Sequence, residues 1–280
     1  MDWLERFTAS IDYIENNLDG EIEFTIAAQK AYCSEFHFSR IFSSLTGVTL
    51  SEYIRRRRLT KAAFDLQADM GKVIDVALKY GYESPDAFTR AFKKLHGIPP
   101  SAVKDSSSPL KAYPRISFQI TLKGDVAMDY RMENIDFEVR FVGKRFPVKT
   151  ARAFRRIPEI HRETNKDGFK QKLIDMSWEN PKCTLASIAG ICCNGTVDDE
   201  KFDYFLAVRY DSEAPADMEE FIIPPCTYAV FPNVVNAWKR LYSEWLPTSG
   251  YELANQPCIE HYLGPGHKVK HELWVPIVDK

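Results

Sequence analysis

Two arginines, Arg40 and Arg90, hold the same place in a phrase the chain writes twice, FSRIF at 38–42 and FTRAF at 88–92. An arginine carried on an exposed helix can present its guanidinium fork to O6 and N7 of a guanine in the DNA major groove. Far downstream, PCIEHY and KHELWVPI set Glu260 in phase with Tyr262 and Glu272 in phase with Trp274 along two strands. Carboxylates interleaved with aromatic rings suit an organic cation, through charge pairing and cation–π attraction. Each pattern also has a plain explanation: local salt bridges for the arginines, solvated strand positions for the glutamates. Two arginines in one slot of a duplicated motif favour DNA contact. For the glutamates both readings stand.

The elements that must carry the arginines follow from extending the repeat. At an offset of fifty residues, Ile26 meets Val76, Ala27 meets Ala77, Tyr32 meets Tyr82, Ser34 meets Ser84, Leu45 meets Leu95 and Gly47 meets Gly97, with no gap. Phe38, Ile41, Phe42 and Leu45 recur at helical spacing and predict one buried face. Ser34 and Ser84 are natural N-caps, Pro85 suits the first helical position, and Gly47 and Gly97 suit the left-handed closing residue. A preceding short helix and tight turn complete a helix-turn-helix in each copy, at about 24–45 and 73–95. With the phenylalanines turned inward, the outward positions are Phe36, Ser39, Arg40 and Ser43 in the first copy. In the second they are Asp86, Thr89, Arg90 and Lys93. Between the copies, TLSEYIRRRRLTKAAFDLQ predicts one long helix that sets the spacing of the two readers, about one DNA turn of ~34 Å apart. Its four consecutive arginines, Arg55 to Arg58, fit either phosphate contacts or an ion-paired face.

Composition agrees with a nucleic-acid partner confined to one region. The net charge is −2 over 280 residues, yet residues 28–104 carry 13 Lys/Arg against 7 Asp/Glu. No apolar run approaches the ~18 residues of a membrane span, and the start lacks the pattern of a signal peptide. The six scattered cysteines, without a C-x-x-C pair, predict reduced thiols and a cytoplasmic protein. Cys192 and Cys193 are expected to be neighbours in an apolar strand.

With these residues in place, the first ~110 residues resemble the DNA-binding domain of the AraC/XylS family of bacterial transcription regulators. The resemblance rests on IAAQKAYCSEFHFSRIFSSLTGVTLSEYIRRRRLTKAAFDL and VIDVALKYGYESPDAFTRAFKKLHGIPPSAV. It implies an all-α domain with two helix-turn-helix motifs joined by a long helix, binding double-stranded DNA at an asymmetric site and contacting RNA polymerase. One departure is Ala31-Tyr32 in the first turn, where the second copy has Gly81-Tyr82, so an altered first turn is expected.

The domain is expected to span 1–107, with a Ser/Pro-rich linker and lead-in over 108–127 and a second domain over 128–280. There the texture turns β-rich: strand 137–146, helix 158–178, strands 185–193 and 203–210, then strand 226–232, helix 234–246, strands 257–262 and 270–277. This is βαββ written twice, an α+β domain of duplicated units. FVGKRFPV, TYAVF, WKRLYSEWLPTSGYELANQPCIEHY and HELWVPI resemble the gyrase-inhibitor-like (GyrI-like) effector-binding domain of multidrug-responsive regulators. That resemblance implies a pocket with a central glutamate, for which Glu260 and Glu272 are the candidates, flanked by Tyr262 and Trp274. The chain is therefore expected to be a transcription regulator, an activator, answering to a small organic effector and needing no cofactor. Rival readings are a hydrolase of reactive xenobiotics with Glu260 or Glu272 as base, and a C-terminal domain that binds a protein.

Overall fold

A computed structural model describes residues 3–103, 110–117, 127–178, 184–196, 201–264 and 267–279. The chain divides into two units, one of Met1–Ala31 with Val48–Ile120, the other of Tyr32–Gly47 with Thr121–Lys280.

The first unit is helical: α1 (Trp3–Asn16), α2 (Phe24–Lys30), α4 (Leu50–Gln67), α5 (Val73–Lys79) and α6 (Pro85–His96), closed by a 3-10 turn at Pro100–Ala102. Its second half has one core, in which Leu59, Ala62, Ala63 and Leu66 of α4 meet Val76 and Ala77 of α5 and Phe88 and Phe92 of α6. The small residues on α4 and α5 let these helices approach closely. The α5–α6 turn uses Gly81 at φ +79°, and an added Cβ there would meet Arg58 Nη1 at 2.9 Å. Ser84 caps α6 by accepting from Ala87 N, and Gly97 closes it in the left-handed region at φ +87°. The altered first turn has a specific form. Ala31 is right-handed at φ −85°, and Tyr32 takes the positive φ, +55°, which an L side chain tolerates poorly.

The run Arg55 to Arg58 works inside the helical unit. Arg55 and Arg56 pair with Glu52 of their own helix. Arg57 clasps Glu15 of α1 with both prongs, at 2.9 and 2.8 Å, and Arg58 donates to the Leu18 carbonyl at 2.9 Å. The stretch expected to be linker is anchored where it is described. Tyr113 N donates to Thr60 Oγ1 at 3.1 Å, Arg56 lies over the Tyr113 ring, and Ile116 N donates to Tyr53 Oη. Positions 108–109 and 118–126 of that stretch lie outside the described residues.

The second unit holds α3 (Glu35–Thr46) and a nine-stranded sheet in the order β1-β6-β9-β8-β3-β4-β2-β5, with β7 on β9. The strands are β1 (Arg131–Ile135), β2 (Val139–Lys149), β3 (Ile188–Thr196), β4 (Lys201–Arg209), β5 (Glu219–Ile223), β6 (Cys226–Pro232), β7 (Tyr251–Leu253), β8 (Cys258–Tyr262) and β9 (His271–Asp279). Helices α7 (Ala153–Lys166) and α8 (Phe169–Ser177) lie between β2 and β3 in the chain. The expected single helix over 158–178 is thus two helices, broken where Gly168 turns left-handed at φ +83°. Between β6 and β7 come α9 (Val234–Arg240), a π-helical turn at Leu241–Trp245 and the short α10 (Leu246–Thr248). The strands β1, β5 and β7 are additional to the expected set.

The sheet has two buried faces. One packs Val142, Ile188, Cys192, Tyr204 and Leu206 against Ile157, Ile160, Leu173 and Met176 of α7 and α8. The other gathers Phe141, Ala189, Ile191, Cys193, Phe205, Tyr228, Ile259 and Trp274. Alternation sends the neighbours Cys192 and Cys193 to opposite faces. Among the described residues, no helix is long and apolar enough to cross a membrane.

Candidate DNA-reading helices and effector site

On α6, Asp86, Arg90 and Lys93 are exposed and Thr89 is half-buried, while Phe88, Phe92 and His96 face the core. His96 Nε2 lies 3.2 Å from the Leu59 carbonyl, locking the inner face. Arg90 and Lys93 thus share the outward side of a well-capped helix, the disposition expected from the sequence.

The first copy differs. Ser39 is 8% exposed, Ser43 is half-buried, and the side chain of Phe36 lies outside what the structure describes. Arg40, expected to point outward, instead lays its guanidinium 3.6 Å from the Trp238 ring centroid and 5.5 Å from that of Phe202. Its Nη1 is fully buried. Burial works against its charge, while the Glu260 carboxylate nearby favours the protonated guanidinium. Beside it, His37 Nε2 meets the Gln256 carbonyl at 3.1 Å, and burial lowers the His37 pKa to about 4. Helical periodicity correctly separates inner from outer positions but does not say what the outer side meets.

Glu260 is 3% exposed and collects donors. Trp238 Nε1 donates to its Oε1 at 2.8 Å, and Tyr262 Oη and Tyr204 Oη donate to its Oε2 at 2.7 and 3.3 Å. Tyr204 also meets Tyr262 Oη and His161 Nε2, both at 3.0 Å. Burial lowers the His161 pKa to about 4, so its ring is neutral at neutral pH. Room for Tyr204 comes from Gly190, directly across the ladder from Glu260, where a Cβ would fall 1.9 Å from the tyrosine oxygen. Tyr242, 1% exposed, lies on the turn after Trp238 with its hydroxyl buried. This is a buried carboxylate ringed by phenol and indole donors, with an indole face already carrying a guanidinium.

Glu272 belongs to a different site. In the β8–β9 ladder His261 pairs with Glu272 and Ile259 with Trp274, while Glu260 pairs with Leu273. Directly paired residues share a face. Glu260 and Tyr262 therefore lie on the helix-covered side, and Glu272 and Trp274 on the other. The two carboxylates do not line one pocket, contrary to the sequence-based expectation. Arg131 of β1 takes Glu272 in a two-pronged pair at 2.6 and 2.9 Å, and Trp274 Nε1 donates to it at 3.2 Å. Burial raises the Glu272 pKa, but His261 and Arg131 overcome this and bring it down to about 2. Neither carboxylate is poised as a general base, the first being saturated with donors and the second pinned as an anion.

Tyr204, Trp238, Tyr242 and Arg131 were not among the expected site residues. A signal for Tyr204 was present: a glycine inside the apolar strand LASIAGICC marks a close approach by a neighbour.

Comparison with known proteins places both halves. Residues 128–278, more than half of the chain, match the family described as the GyrI-like small molecule binding domain, and residues 27–106 match a helix-turn-helix domain. The transposon Tn10 TetD protein of Escherichia coli is 44% identical over 89 residues, 32% of this chain and 64% of TetD. The HTH-type transcriptional activator AarP of Providencia stuartii is 40% identical over 96 residues, 34% of this chain and 71% of AarP. A solved structure, SAV2435 bound to tetraphenylphosphonium, is 20% identical, covers 54% of this chain and 94% of that one, and has a TM-score of 0.43. The chain thus belongs to the GyrI-like family through its C-terminal half and carries an AraC-type helix-turn-helix domain ahead of it.

Proposed function

We propose that this protein is a DNA-binding transcription regulator, an activator, whose sheet-rich domain binds a small organic cation. The observation that carries the effector reading is Glu260, buried beneath three donors, with the Trp238 face beside it holding a guanidinium. The three donors satisfy the hydrogen bonding of Glu260 but carry no formal charge, so a positively charged aromatic ligand at the Trp238 face gains a charge and cation–π attraction that a neutral isostere does not. Glu260, Tyr262 and Trp238 form that site, while Glu272 and Trp274 lie on the other face as a second candidate closed by Arg131.

DNA reading rests on Asp86, Thr89, Arg90 and Lys93 of α6 and on their counterparts Phe36, Ser39, Arg40 and Ser43 of α3. We read α4, eighteen residues long, as the spacer that phases the two readers. The runs β2–α7/α8–β3–β4 and β6–α9–β8–β9 are read as duplicated βαββ halves. The domain limits 1–107 and 128–280, a contact with RNA polymerase and a cytoplasmic location belong to the same reading.

The test is binding of tetraphenylphosphonium to the full chain, followed by tryptophan fluorescence. Glu260→Gln is expected to weaken it about tenfold or more, and to weaken binding of neutral triphenylphosphine oxide far less. Equal losses for both compounds would refute the cation-binding assignment.

A further inference from the structure

The helix that carries Arg40 packs in the same unit as the sheet, against β3 and the π-helical turn after α9. Its guanidinium, 3.6 Å from the centroid of Trp238, occupies the face of the indole whose N–H holds Glu260. Cys192 and Tyr242 are its close neighbours. His37, one turn earlier, ties the same helix to the Gln256 carbonyl. The duplicate arginine, Arg90, is exposed. The turn that leads into α3 carries a non-glycine residue at positive φ, Tyr32, where the second copy uses Gly81. Such a residue is strained and persists where its surroundings hold it.

From this geometry we propose that Arg40 is a built-in ligand of the effector site. The guanidinium of the first DNA-reading helix fills the place an organic cation would take, so effector and α3 exclude one another. Without effector, α3 is docked on the sheet and only α6 presents its arginine. A cation that displaces Arg40 releases α3, and the first reader becomes available to DNA. The inference rests on the Trp238–Glu260 site being the effector site. It adds that the competitor is a residue of the DNA-binding motif itself, which couples ligand occupancy to the number of engaged readers without a separate relay. Because the ligand meets a site mostly occupied from within, its apparent affinity is reduced by the fraction of molecules in which α3 is undocked.

Two measurements on the full-length protein decide the matter. Hydrogen exchange of the α3 amides, residues 35–46, is followed with and without saturating tetraphenylphosphonium; exchange at α3 is expected to speed up about tenfold or more while α6 stays protected. The same cation is titrated against wild type, Arg40→Lys and Arg40→Ala; affinity is expected to rise in that order, by about tenfold at alanine. If all three proteins bind the cation equally, or α3 keeps its protection at saturation, Arg40 is not the competitor and the effector site stands without it. If none of the three binds the cation, the effector assignment fails and the displacement scheme fails with it. Arg40→Lys guards against a folding defect in the alanine variant, since it keeps the charge and loses the flat guanidinium that stacks on the indole.

Discussion

Replacing Gly190 by alanine probes the Glu260 site at its tightest point. An alanine Cβ at this position would stand 1.9 Å from Tyr204 Oη, 2.3 Å from Cζ and 2.7 Å from Cε2. None of these distances is tolerable, and the obstruction is a ring packed on every side. The tyrosine must leave, taking its hydrogen bonds to Glu260, Tyr262 and His161 with it. Overpacking of a filled core costs about 1–3 kcal/mol. Loss of a donor from a buried carboxyl costs about 1.5–3 kcal/mol. Together these give a destabilisation of about 2.5–6 kcal/mol. With a urea dependence of about 2–3 kcal/mol/M, the transition of the sheet-rich unit should move down by about 1–3 M. Read in a Trp3→Phe background, since Trp3 opens α1 of the helical unit, tryptophan emission reports the sheet-rich unit alone. Tyr204→Phe removes only the nearest clashing atom, so the double variant should recover about 1 kcal/mol and no more, because the ring carbons still collide. A Gly190→Ala midpoint within about 0.3 M of wild type would refute the reasoning, because Tyr204 would then be free to swing aside.

Other expectations follow from single features. Arg90→Ala should weaken specific DNA binding by about 1–3 kcal/mol and relax base preference at one position; a binding-site selection with every preference unchanged would oppose it. Glu272, with its pKa brought from 4.5 to about 2, gives stability that is full above pH 4.5 and is lost as pH falls towards 2. The gap in urea midpoint between wild type and Arg131→Gln should therefore narrow across that window. His37 and His161, each lowered from 6.5 to about 4, are neutral in the fold, so their contribution is full above pH 6.5 and is lost as pH falls to 4. Glutamine at either position should flatten the pH–stability curve there, and an unchanged slope would count against the burial described. A fragment 1–117 should be more stable to heat than 1–107, since it keeps Tyr113 on Thr60 and Ile116 on Tyr53. Equal melting temperatures would make those contacts incidental.

What could be read from the sequence has a physical boundary. The inner face of α6 was legible because Phe88, Phe92 and His96 obey a period that one helix imposes on itself. The partners of Glu260 and Glu272 within their own strands were legible for the same reason, through a period of two. Whether the two strands turn those residues to one face or to opposite faces is a matter of register, and register is fixed by pairing across the turn between β8 and β9. Hence Tyr262 was placed with Glu260 correctly and Glu272 was not. The destination of Arg40 was hidden by the same limit: its outward position is local, and the indole it meets lies 198 residues away in sequence, from Arg40 to Trp238. Short polar strands such as β1 and β7 leave no periodic trace, and Gly168 broke a helix that its flanking apolar pattern reads as continuous.

The place of β9 in the sheet governs the order in which the molecule is made. It is the last strand of the chain, and it lies between β6 and β8, joining the pair β1–β6 to the remaining strands. During synthesis the sheet stays in two pieces until residues 271–279 emerge, and the Glu260 site lacks its neighbour Leu273 until then. The core of α4, α5 and α6 is complete by Leu110, and domains of a nascent chain fold from the N-terminal side first. A newly made molecule therefore passes through a stage with α6 formed and the sheet still open. Premature termination ahead of β9 would leave its products in that stage, with α6 formed and the sheet incomplete.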